Sequence, residues 1–385
     1  MQVPPLPRSP GGSRRFLDAY TQGLSTTELE RLFTRDAPEA YRFFSRAIDF
    51  AELRKLPWHR RTIAHVRLFF LAFTLKLTPA RRALYGLALV AALVGLMDVA
   101  IFARGTLWLI TAFGLLNLIV LLEVADRLSL KNDLEIAREI QQAMLPRAAY
   151  QAPGVEAFGM TRPANTVGGD FYDIVPLADG RVLLALGDVA GKGSPAALLM
   201  ALLLAMMRTL VDEGFDGAAL MNRLNAQVSK HAPPSRFVTL FIATLDPVTG
   251  QLTYVNAGQN PPLLRRAGGA YERLRDGGIA LGMSARATYT AGRAELRQGD
   301  VIVMYSDGIT EAEDGVGRPF DETGLQQVVD GRGWGSAKEL GWATFAAVEH
   351  HTEERRLLDD LTVLVARKLP PLPIMAVAEE AVVGV

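Results

Sequence analysis

The sequence predicts an α+β domain that follows a helical, membrane-associated region, and three observations support this prediction. Two long apolar segments lie between residues 83 and 125. Short β-type runs and helical runs occur in segregated groups between residues 147 and 368, which favours layered sheets over a doubly wound fold. Aspartates beside glycines or other aspartates recur at the ends of the β-type runs.

The composition bounds the possible classes of protein. The chain has 385 residues, of which 49% are hydrophobic, so two or three domains with a sizeable core are expected. The 41 basic residues balance the 41 acidic ones, so no global charge favours nucleic acid as a partner. The chain contains no cysteine, which excludes disulfides, thiolate metal sites and a cysteine nucleophile.

The N-terminal part reads as cytoplasmic. Residues 1–15 predict a disordered tip, because arginines are present without the apolar core of a secretory signal. Residues 16–80 predict a helical region, with a capping-box pattern at Ser25 and Glu28 and another helix start near Asp36. Basic residues cluster towards its end: Arg54, Lys55, Arg60, Arg61, Arg67, Lys76, Arg81 and Arg82.

The two apolar segments, residues 83–103 and 107–125, predict a transmembrane hairpin, since the first is long enough to cross a hydrocarbon core and the second follows it after a short turn. Asp98 is the one charged residue of the first segment, and we expect it near an interface or against the partner helix. Only Arg104 lies in the turn, so the positive-inside rule places both termini in the cytoplasm. We expect a multi-pass protein of the inner (cytoplasmic) membrane; the alternative is a buried helical pair in a soluble domain.

Residues 126–146 predict a linker helix that ends at Pro146. One interpretation is a short parallel coiled coil that forms a homodimer and transmits a signal. The other is an amphipathic helix packed on the next domain, and a polar residue in the seam leaves both open. The seam residues are Leu130, Leu134, Ala137, Gln141 and Met144.

Residues 147–368 predict the α+β domain, followed by a tail at 369–385. Strands are expected at "RVLLALGDV", "RFVTLFIATL", "QLTYVNAG", "DVIVMYSDG" and "LTVLVARK", with a hairpin around Pro247 and Gly250. Ser194 as N-cap and Pro195 as the first helical residue predict a buried helix whose apolar run is too short to cross a bilayer. Further helices are expected over 217–230 and 337–349.

The candidate functional residues of this domain are aspartates that lie beside glycines or other aspartates. They occur as Gly169-Asp170, Gly187-Asp188, "SDG" at 306–308 and Asp359-Asp360. Buried carboxylates are costly without a positive partner, and oxygen ligands suit Mg²⁺ or Mn²⁺. Two such ions about 3.5–4 Å apart can acidify a shared water and clamp a phosphoryl group, which indicates hydrolysis.

Taken together, the motifs "GGDFYD", "GDVAGKG", "NAGQNPP", "GIALGM", "YSDGITEA" and "DDLTVLVARK" resemble, in this order, the metal-dependent protein phosphatases. The most similar branch is the bacterial one typified by stage II sporulation protein E and the stress-response phosphatases. The segment "EIAREIQQAMLP" is similar to the helix that precedes the domain in that branch. The resemblance implies a four-layer α-β-β-α sandwich with two Mn²⁺ or Mg²⁺ ions at one edge.

The resemblance also implies roles for individual residues. Asp188 would bridge both ions, Asp170 would hold one ion with the carbonyl of Val189, and Asp307 and Asp359 would hold the other. The residues expected around these ligands are Asp173, Asp360, Gly169 and Gly308. A metal-activated water would attack phosphoserine or phosphothreonine without a covalent phosphoenzyme. The substrate would be a phosphorylated regulatory protein, with an anti-sigma-factor antagonist as the family-based candidate.

The sequence departs from the family at two points. Gln259 stands where the family's "NAGHNPP" motif has histidine, and "GDVAGKG" lacks the histidine that some members place after the bridging aspartate. Lys192 is either a phosphate contact or a solvent-exposed loop residue. His350 and His351 are expected at the end of a surface helix, with a structural role.

Other classes of function remain as alternatives. "GGDF" invites comparison with diguanylate cyclases, which would make the chain a nucleotide-handling enzyme, but Tyr172 and Asp173 follow it and the later aspartates have no counterpart there. The phosphate-loop pattern fails, because too few residues separate the first glycine from Gly191-Lys192. A catalytically silent phosphatase fold that serves as a signalling scaffold is the remaining alternative.

Overall fold

The computed structural model describes residues 57–370 except 76, 103–105, 234, 332, 354 and 356. The chain divides into two compact units, Met1–Arg127 and Leu128–Val385. The predicted tip, the capping box at Ser25 and Glu28, the helix start near Asp36, the turn at Arg104 and most of the tail lie outside the described residues.

Three helices begin the described chain: α1 (Trp58–Thr74), α2 (Pro79–Phe102) and α3 (Thr106–Met144). The stretches Pro79–Asp98 and Thr106–Asp126 are long and apolar enough to cross a membrane. In the first unit Arg81 ties the start of α2 to α3, with its guanidinium 3.1 Å from Glu123 and 2.7 Å from Asp126. Helix α3 runs without interruption from the second apolar segment into the predicted linker.

The second unit contains two sheets. The first has the strand order β1-β2-β12-β11-β7-β8 and is antiparallel throughout; its strands are β1 (Tyr150–Ala152), β2 (Val155–Arg162), β7 (Leu263–Arg265), β8 (Tyr271–Arg273), β11 (Val301–Tyr305) and β12 (Leu361–Lys368). The second has the order β10-β6-β5-β4-β3; its strands are β3 (Phe171–Pro176), β4 (Val182–Val189), β5 (Val238–Leu245), β6 (Gln251–Ala257) and β10 (Gly292–Glu295). A short strand, β9 (Gly277–Gly278), runs parallel to β6.

Helices cover both sheets. The remaining helices are α4 (Ser194–Asp212), α5 (Gly217–His231), α6 (Asp307–Thr310), α7 (Asp321–Asp330) and α8 (Ala337–His351). Helices α4 and α5 pack on the second sheet and α8 packs on β2 and β12 of the first, while β2 and β12 contact β3 across the space between the sheets. The domain is therefore an α+β fold built on two stacked sheets.

The apolar sequence of strand β12 is explained by burial on both of its faces. Leu364 and Ala366 join the larger core cluster, while Val363 and Val365 join the cluster that also contains residues of α7 and α8. Because successive side chains of a strand point to opposite faces, both faces of β12 are buried. The alternation expected of a half-exposed strand is consequently missing.

All five strands that the sequence predicts are present, as β4, β5, β6, β11 and β12. The predicted hairpin is also present, with Leu245 opposite Leu252. The "SDG" motif differs from the prediction, because β11 ends at Tyr305 and Asp307 begins the short helix α6.

Helix α4 corrects two predictions. Its N-cap is Gly193, at φ 76°, with no side-chain cap bond, so Ser194 is the first helical residue rather than the cap. The stretch Ser194–Asp212 is also long and apolar enough to span a membrane, contrary to the prediction that its apolar run is too short. Leu203, Leu204 and Met207 are fully buried in the core, so here apolarity reflects packing inside the domain.

The linker seam faces the chain's own domain at its C-terminal end. Gln141 is buried, and Met144 packs against the larger core cluster. Ile136 and Ile140 are instead 49% and 60% exposed. This arrangement matches the alternative in which an amphipathic helix packs on the next domain.

Candidate active site

The loop that carries Asp170 is organised by Asp360. One carboxylate oxygen of Asp360 accepts a hydrogen bond from the Ala164 N–H at 2.8 Å, and the other accepts from the N–H groups of Gly169 at 2.8 Å and Asp170 at 3.4 Å. Because Asp360 directly precedes β12, the last strand of the domain fixes a loop formed much earlier in the chain. Asp360 therefore shapes the backbone beside the other carboxylates.

The linker helix holds the same loop. The Gln141 amide donates to the Gly168 carbonyl at 2.8 Å and accepts from the Gly168 N–H at 3.3 Å. The Tyr172 hydroxyl donates to the carbonyl of Pro146 at 2.7 Å, just beyond the end of α3. The glycine-rich loop is thus fastened on one side by Asp360 and on the other by the linker.

Gly169 allows Asp170 and Asp188 to approach each other. A Cβ atom at Gly169 would lie 2.8 Å from the Val189 carbonyl oxygen and 2.9 Å from a carboxylate oxygen of Asp188, which leaves no space for a larger residue. The Val189 carbonyl, Asp188 and the Asp170 loop therefore meet at the end of β4.

Asp170 and Asp188 are in an unfavourable electrostatic setting. Asp170 is 4% exposed, and its Oδ2 has no hydrogen-bond partner within the described chain. Burial raises the pKa of Asp170 well above its usual range, and the neighbouring Asp188 raises it further. Burial also raises the pKa of Asp188 to about 6, with Asp307 as the next cause. No lysine, arginine or histidine of the described residues forms an ion pair with either of these two carboxylates.

The "SDG" turn is pinned to the strand that follows Asp360. The Ser306 hydroxyl donates to the Asp360 carbonyl at 3.1 Å and accepts from the Thr362 N–H at 3.0 Å. A Cβ atom at Gly308 would collide with the Asp360 carbonyl oxygen, so glycine is required there. Burial, followed by the nearby Asp359, raises the pKa of Asp307.

Asp359 has a positive partner. The Lys192 ammonium lies 2.8 Å from Asp359 Oδ2 and donates to the Leu358 carbonyl at 2.6 Å. The side chains of Lys192 and Asp359 are 54% and 46% exposed. Both residues, with Gly308, line a cavity of about 490 Å³. Lys192 is therefore neither a free surface residue nor buried, but lies at the mouth of the carboxylate cluster.

Two other predicted positions serve different purposes. Asp173 forms an ion pair with Arg208 at 2.7 Å. Arg208 also donates a hydrogen bond to the Met144 carbonyl at 2.7 Å. Through Arg208, Asp173 therefore anchors the end of the linker helix, whereas the resemblance implied a place around the metal ligands. Gln259 is buried and donates to the Tyr305 carbonyl at 3.3 Å, directly before the "SDG" turn. An uncharged amide suits that position.

The histidines lie at the end of α8, as the sequence predicts. The His351 ring hydrogen-bonds the Arg318 carbonyl at 3.0 Å and packs edge-on against Phe320. These contacts indicate a structural role for His351.

The carboxylates fit a hard divalent cation in their chemistry. Across the described residues, no group of three or more histidine, aspartate or glutamate side chains converges as a metal site. Asp170 Oδ2 is nevertheless a buried acceptor without a hydrogen-bond donor among the described residues. Carboxylate and carbonyl oxygens are the ligands that Mg²⁺ and Mn²⁺ prefer, so the site suits these cations.

Sequence reasoning missed three contributors to this site: Gln141 as a loop clamp, Gln259 as a tie to β11, and the ion pair between Lys192 and Asp359. The glutamine pair in "EIQQAMLP" was a signal for the first, since a polar residue in an apolar seam calls for a buried partner. The other two depend on contacts between residues distant in sequence.

Known proteins share this domain. Residues 178–369 match the family model described as Stage II sporulation protein E (SpoIIE). Phosphoserine phosphatase RsbU of Bacillus subtilis is 29% identical over 240 residues, which cover 62% of this chain and 71% of RsbU. Protein IcfG of Synechocystis sp. is 29% identical over 217 residues, covering 49% of this chain and 34% of IcfG.

A solved structure shares the fold. The SiaA-PP2C domain of Pseudomonas aeruginosa superposes with a TM-score of 0.55 at 22% identity, covering 63% of this chain and 98% of that domain. The family match includes Asp188, Asp307 and Asp359, and it favours the phosphatase interpretation over the cyclase one. The chain therefore contains a SpoIIE-type phosphatase domain.

Proposed function

We propose that this chain is a membrane-tethered phosphatase that hydrolyses phosphoserine or phosphothreonine on a regulatory protein. The observation that carries the proposal is the buried carboxylate of Asp170 beside Asp188, because its Oδ2 has no hydrogen-bond partner among the described residues of a phosphatase-type domain. An orphaned buried acceptor is costly unless a ligand satisfies it. A divalent cation is the ligand that fits both the charge and the oxygen donors.

Five groups would hold two Mn²⁺ or Mg²⁺ ions: the side chains of Asp170, Asp188, Asp307 and Asp359 and the carbonyl of Val189. The bound ions would supply Lewis acidity and an activated water for direct hydrolysis of the phosphoester. Asp360 and Gly169 act through the backbone, since they fix the loop on which Asp170 lies.

Lys192 is positioned to receive the substrate. Its ammonium lies at the mouth of the cluster, and its ion pair with Asp359 is exposed, so exchanging Asp359 for a phosphoryl oxygen costs little. The adjoining cavity of about 490 Å³ offers room for the polypeptide that carries the phosphoserine. RsbU is named a phosphoserine phosphatase. A phosphorylated anti-sigma-factor antagonist remains the family-based candidate for the substrate here.

The membrane tether is proposed from the first unit. Helices α2 and α3 each contain a stretch long and apolar enough to cross a bilayer. The ion pairs of Arg81 with Glu123 and Asp126 join the start of α2 to α3 at the end of the second stretch, as a hairpin with both ends on one side requires. The phosphatase domain would then lie in the cytoplasm at the inner membrane.

A signal would reach the site through α3. The helix continues from the second apolar stretch to Met144, and Gln141 near its end holds Gly168. Dimerisation through the linker would bury the exposed Ile136 and Ile140. Because the chain has no cysteine, disulfide cross-linking of a single Ile140→Cys variant in membranes tests this dimer directly. Absence of cross-linking across the linker would contradict it.

The central experiment measures phosphate release. The full chain in detergent, supplied with Mn²⁺ and a phosphoserine protein, should release phosphate, and Asp307→Asn should not. Asp212→Asn, at an exposed aspartate of α4, is the matched control and should keep full activity. If the chain binds Mn²⁺ but neither it nor the control releases phosphate, the scaffold alternative holds. Failure to bind Mn²⁺ would contradict the catalytic proposal itself.

A further inference from the structure

Helix α1 exposes an unusual amount of apolar surface directly before the first apolar stretch. Trp58 at its start is 78% exposed and Ile63 is 69% exposed. Further exposed apolar side chains lie in and just after its C-terminal half: Leu68, Phe70, Leu71 and Leu75. Exposed apolar side chains clustered on one short helix indicate a surface that something covers.

The same helix is strongly cationic. Residues 53–97 contain no acidic residue. Arg60, Arg61 and Arg67 are exposed, and within the described part of the chain no carboxylate forms an ion pair with them. Arg81, by contrast, is already engaged by two carboxylates of α3. The three arginines of α1 therefore supply a positive charge that the described fold does not neutralise.

Helix α1 is fixed beside the start of α2. The Arg82 guanidinium donates to the carbonyls of Thr74 at 3.2 Å, Leu75 at 3.3 Å and Leu77 at 3.3 Å. The rings of Phe70 and Tyr85 lie 6.1 Å apart. The last turns of α1 are thus held at the end of α2 where the apolar stretch begins.

We propose that α1 lies on the cytoplasmic membrane surface and binds anionic phospholipid headgroups through Arg60, Arg61 and Arg67. The inference rests on the membrane hairpin proposed above and adds a lipid class to it. Arginine is costly inside hydrocarbon, so α1 cannot follow α2 into the bilayer. An interfacial position instead buries the apolar side chains and leaves the guanidinium groups among the headgroups. Charge complementarity selects anionic lipid as the occupant.

A nitroxide label tests this position in the full chain. The chain has no cysteine, so Ile63→Cys can be labelled alone and reconstituted in phosphatidylcholine vesicles with or without phosphatidylglycerol. With phosphatidylglycerol, the label should collide with oxygen and be shielded from a water-soluble nickel chelate. Without it, the label should be open to the chelate.

Matched charge variants show which residues are responsible. Combining Arg60→Gln, Arg61→Gln and Arg67→Gln should shift the equilibrium from membrane-bound to water-exposed α1 on the order of 100-fold. The control removes the same charge from exposed arginines of the phosphatase domain. This control, Arg275→Gln with Arg286→Gln and Arg293→Gln, should leave the label in the membrane.

A second label separates this inference from the hairpin on which it rests. Leu93→Cys lies within the apolar stretch of α2 and should be in hydrocarbon in every vesicle. If the Leu93 label is water-accessible, the hairpin is wrong and the inference fails with it. If the Leu93 label is in hydrocarbon but the Ile63 label stays open to the chelate with phosphatidylglycerol present, the lipid inference alone is overturned. Shielding of the Ile63 label from both oxygen and nickel would also overturn it, because protein would then cover α1.

Discussion

The two halves of the carboxylate cluster differ in what surrounds them. Asp170 and Asp188 form the inner half, where one carboxylate oxygen of Asp170 is buried without a hydrogen-bond partner among the described residues. Asp307 and Asp359 form the outer half, where Lys192 pairs with a half-exposed carboxylate. Within the described residues the inner half has no positive partner, whereas the outer half has Lys192. We therefore expect substitutions in the two halves to have unequal effects.

The largest effect is expected from Asp170→Asn. Removing this buried carboxylate should lower kcat for phosphate release on the order of 10³-fold, the loss typical of a key electrostatic group in an enclosed site. Asp359→Asn should cost roughly tenfold less, since its half of the cluster is more exposed. Both values would be measured at saturating Mn²⁺ with the full chain. Equal losses would remove the distinction between the halves.

Removal of the metal should lower the thermal stability of the phosphatase domain, and the inner half should account for most of this change. A cation at 100 times its Kd stabilises the folded state by about 2.7 kcal/mol, so chelation should lower the Tm of the phosphatase domain. Asp170→Asn should abolish most of this response, because a neutral amide binds Mn²⁺ poorly. Calorimetry of the full chain with Mn²⁺ and with EDTA checks both statements, and Asp212→Asn should respond as the unmodified chain does. A full metal response in Asp170→Asn would place the cation elsewhere.

Asp360 tests the inner half indirectly, because it holds the backbone of the loop that carries Asp170 and is not itself one of the four clustered carboxylates. Asp360→Ala leaves the N–H groups of Ala164 and Gly169 without their acceptor and should lower the free energy of unfolding by about 1–3 kcal/mol. Asp360→Asn retains one carbonyl oxygen and should cost less. Urea titration of both variants measures the difference. If the two variants are equally stable, these hydrogen bonds do not fix the loop.

The smallest effect is expected at the outer half. Lys192→Met removes the cation that competes for Asp359 and should tighten Mn²⁺ binding by up to about fivefold, since an exposed ion pair contributes at most about 1 kcal/mol. Mn²⁺ titration followed by electron paramagnetic resonance measures this change. Lys230→Met, at the exposed end of α5, is the matched control and should bind Mn²⁺ unchanged. Weaker binding in Lys192→Met would contradict competition for Asp359.

The sequence predicts much of the fold because strong local signals agree with the tertiary packing. The five apolar runs became β4, β5, β6, β11 and β12, since β-type residues bounded by turns have few other arrangements. Helix α7 was missed because its polar sequence carries only two buried residues, Leu325 and Val329. The short strands β7 to β10 contain too few residues for a periodic pattern to show.

The site was less predictable than the fold. Motif order singles out Asp170, Asp188, Asp307 and Asp359, but the roles that the resemblance implies for them stay predictions. The partner of Asp173 could not be read from sequence, because Arg208 lies on α4, far along the chain. The buried position of α4 was predicted correctly but for a wrong reason, because its apolar stretch is long enough to suit a bilayer.

The paired hydrogen bonds between Gln141 and Gly168 should respond little to changes in cytoplasmic pH and salt concentration. They join one neutral amide to one peptide group, which neither gain nor lose a proton over the pH range in which the domain is folded. Salt screens interactions between charged groups, so it should change the strength of these neutral hydrogen bonds little. The hydrogen bonds between Gln141 and Gly168 should therefore be less sensitive to osmotic and acid stress than the charged contacts of Asp360 and Asp173 around them.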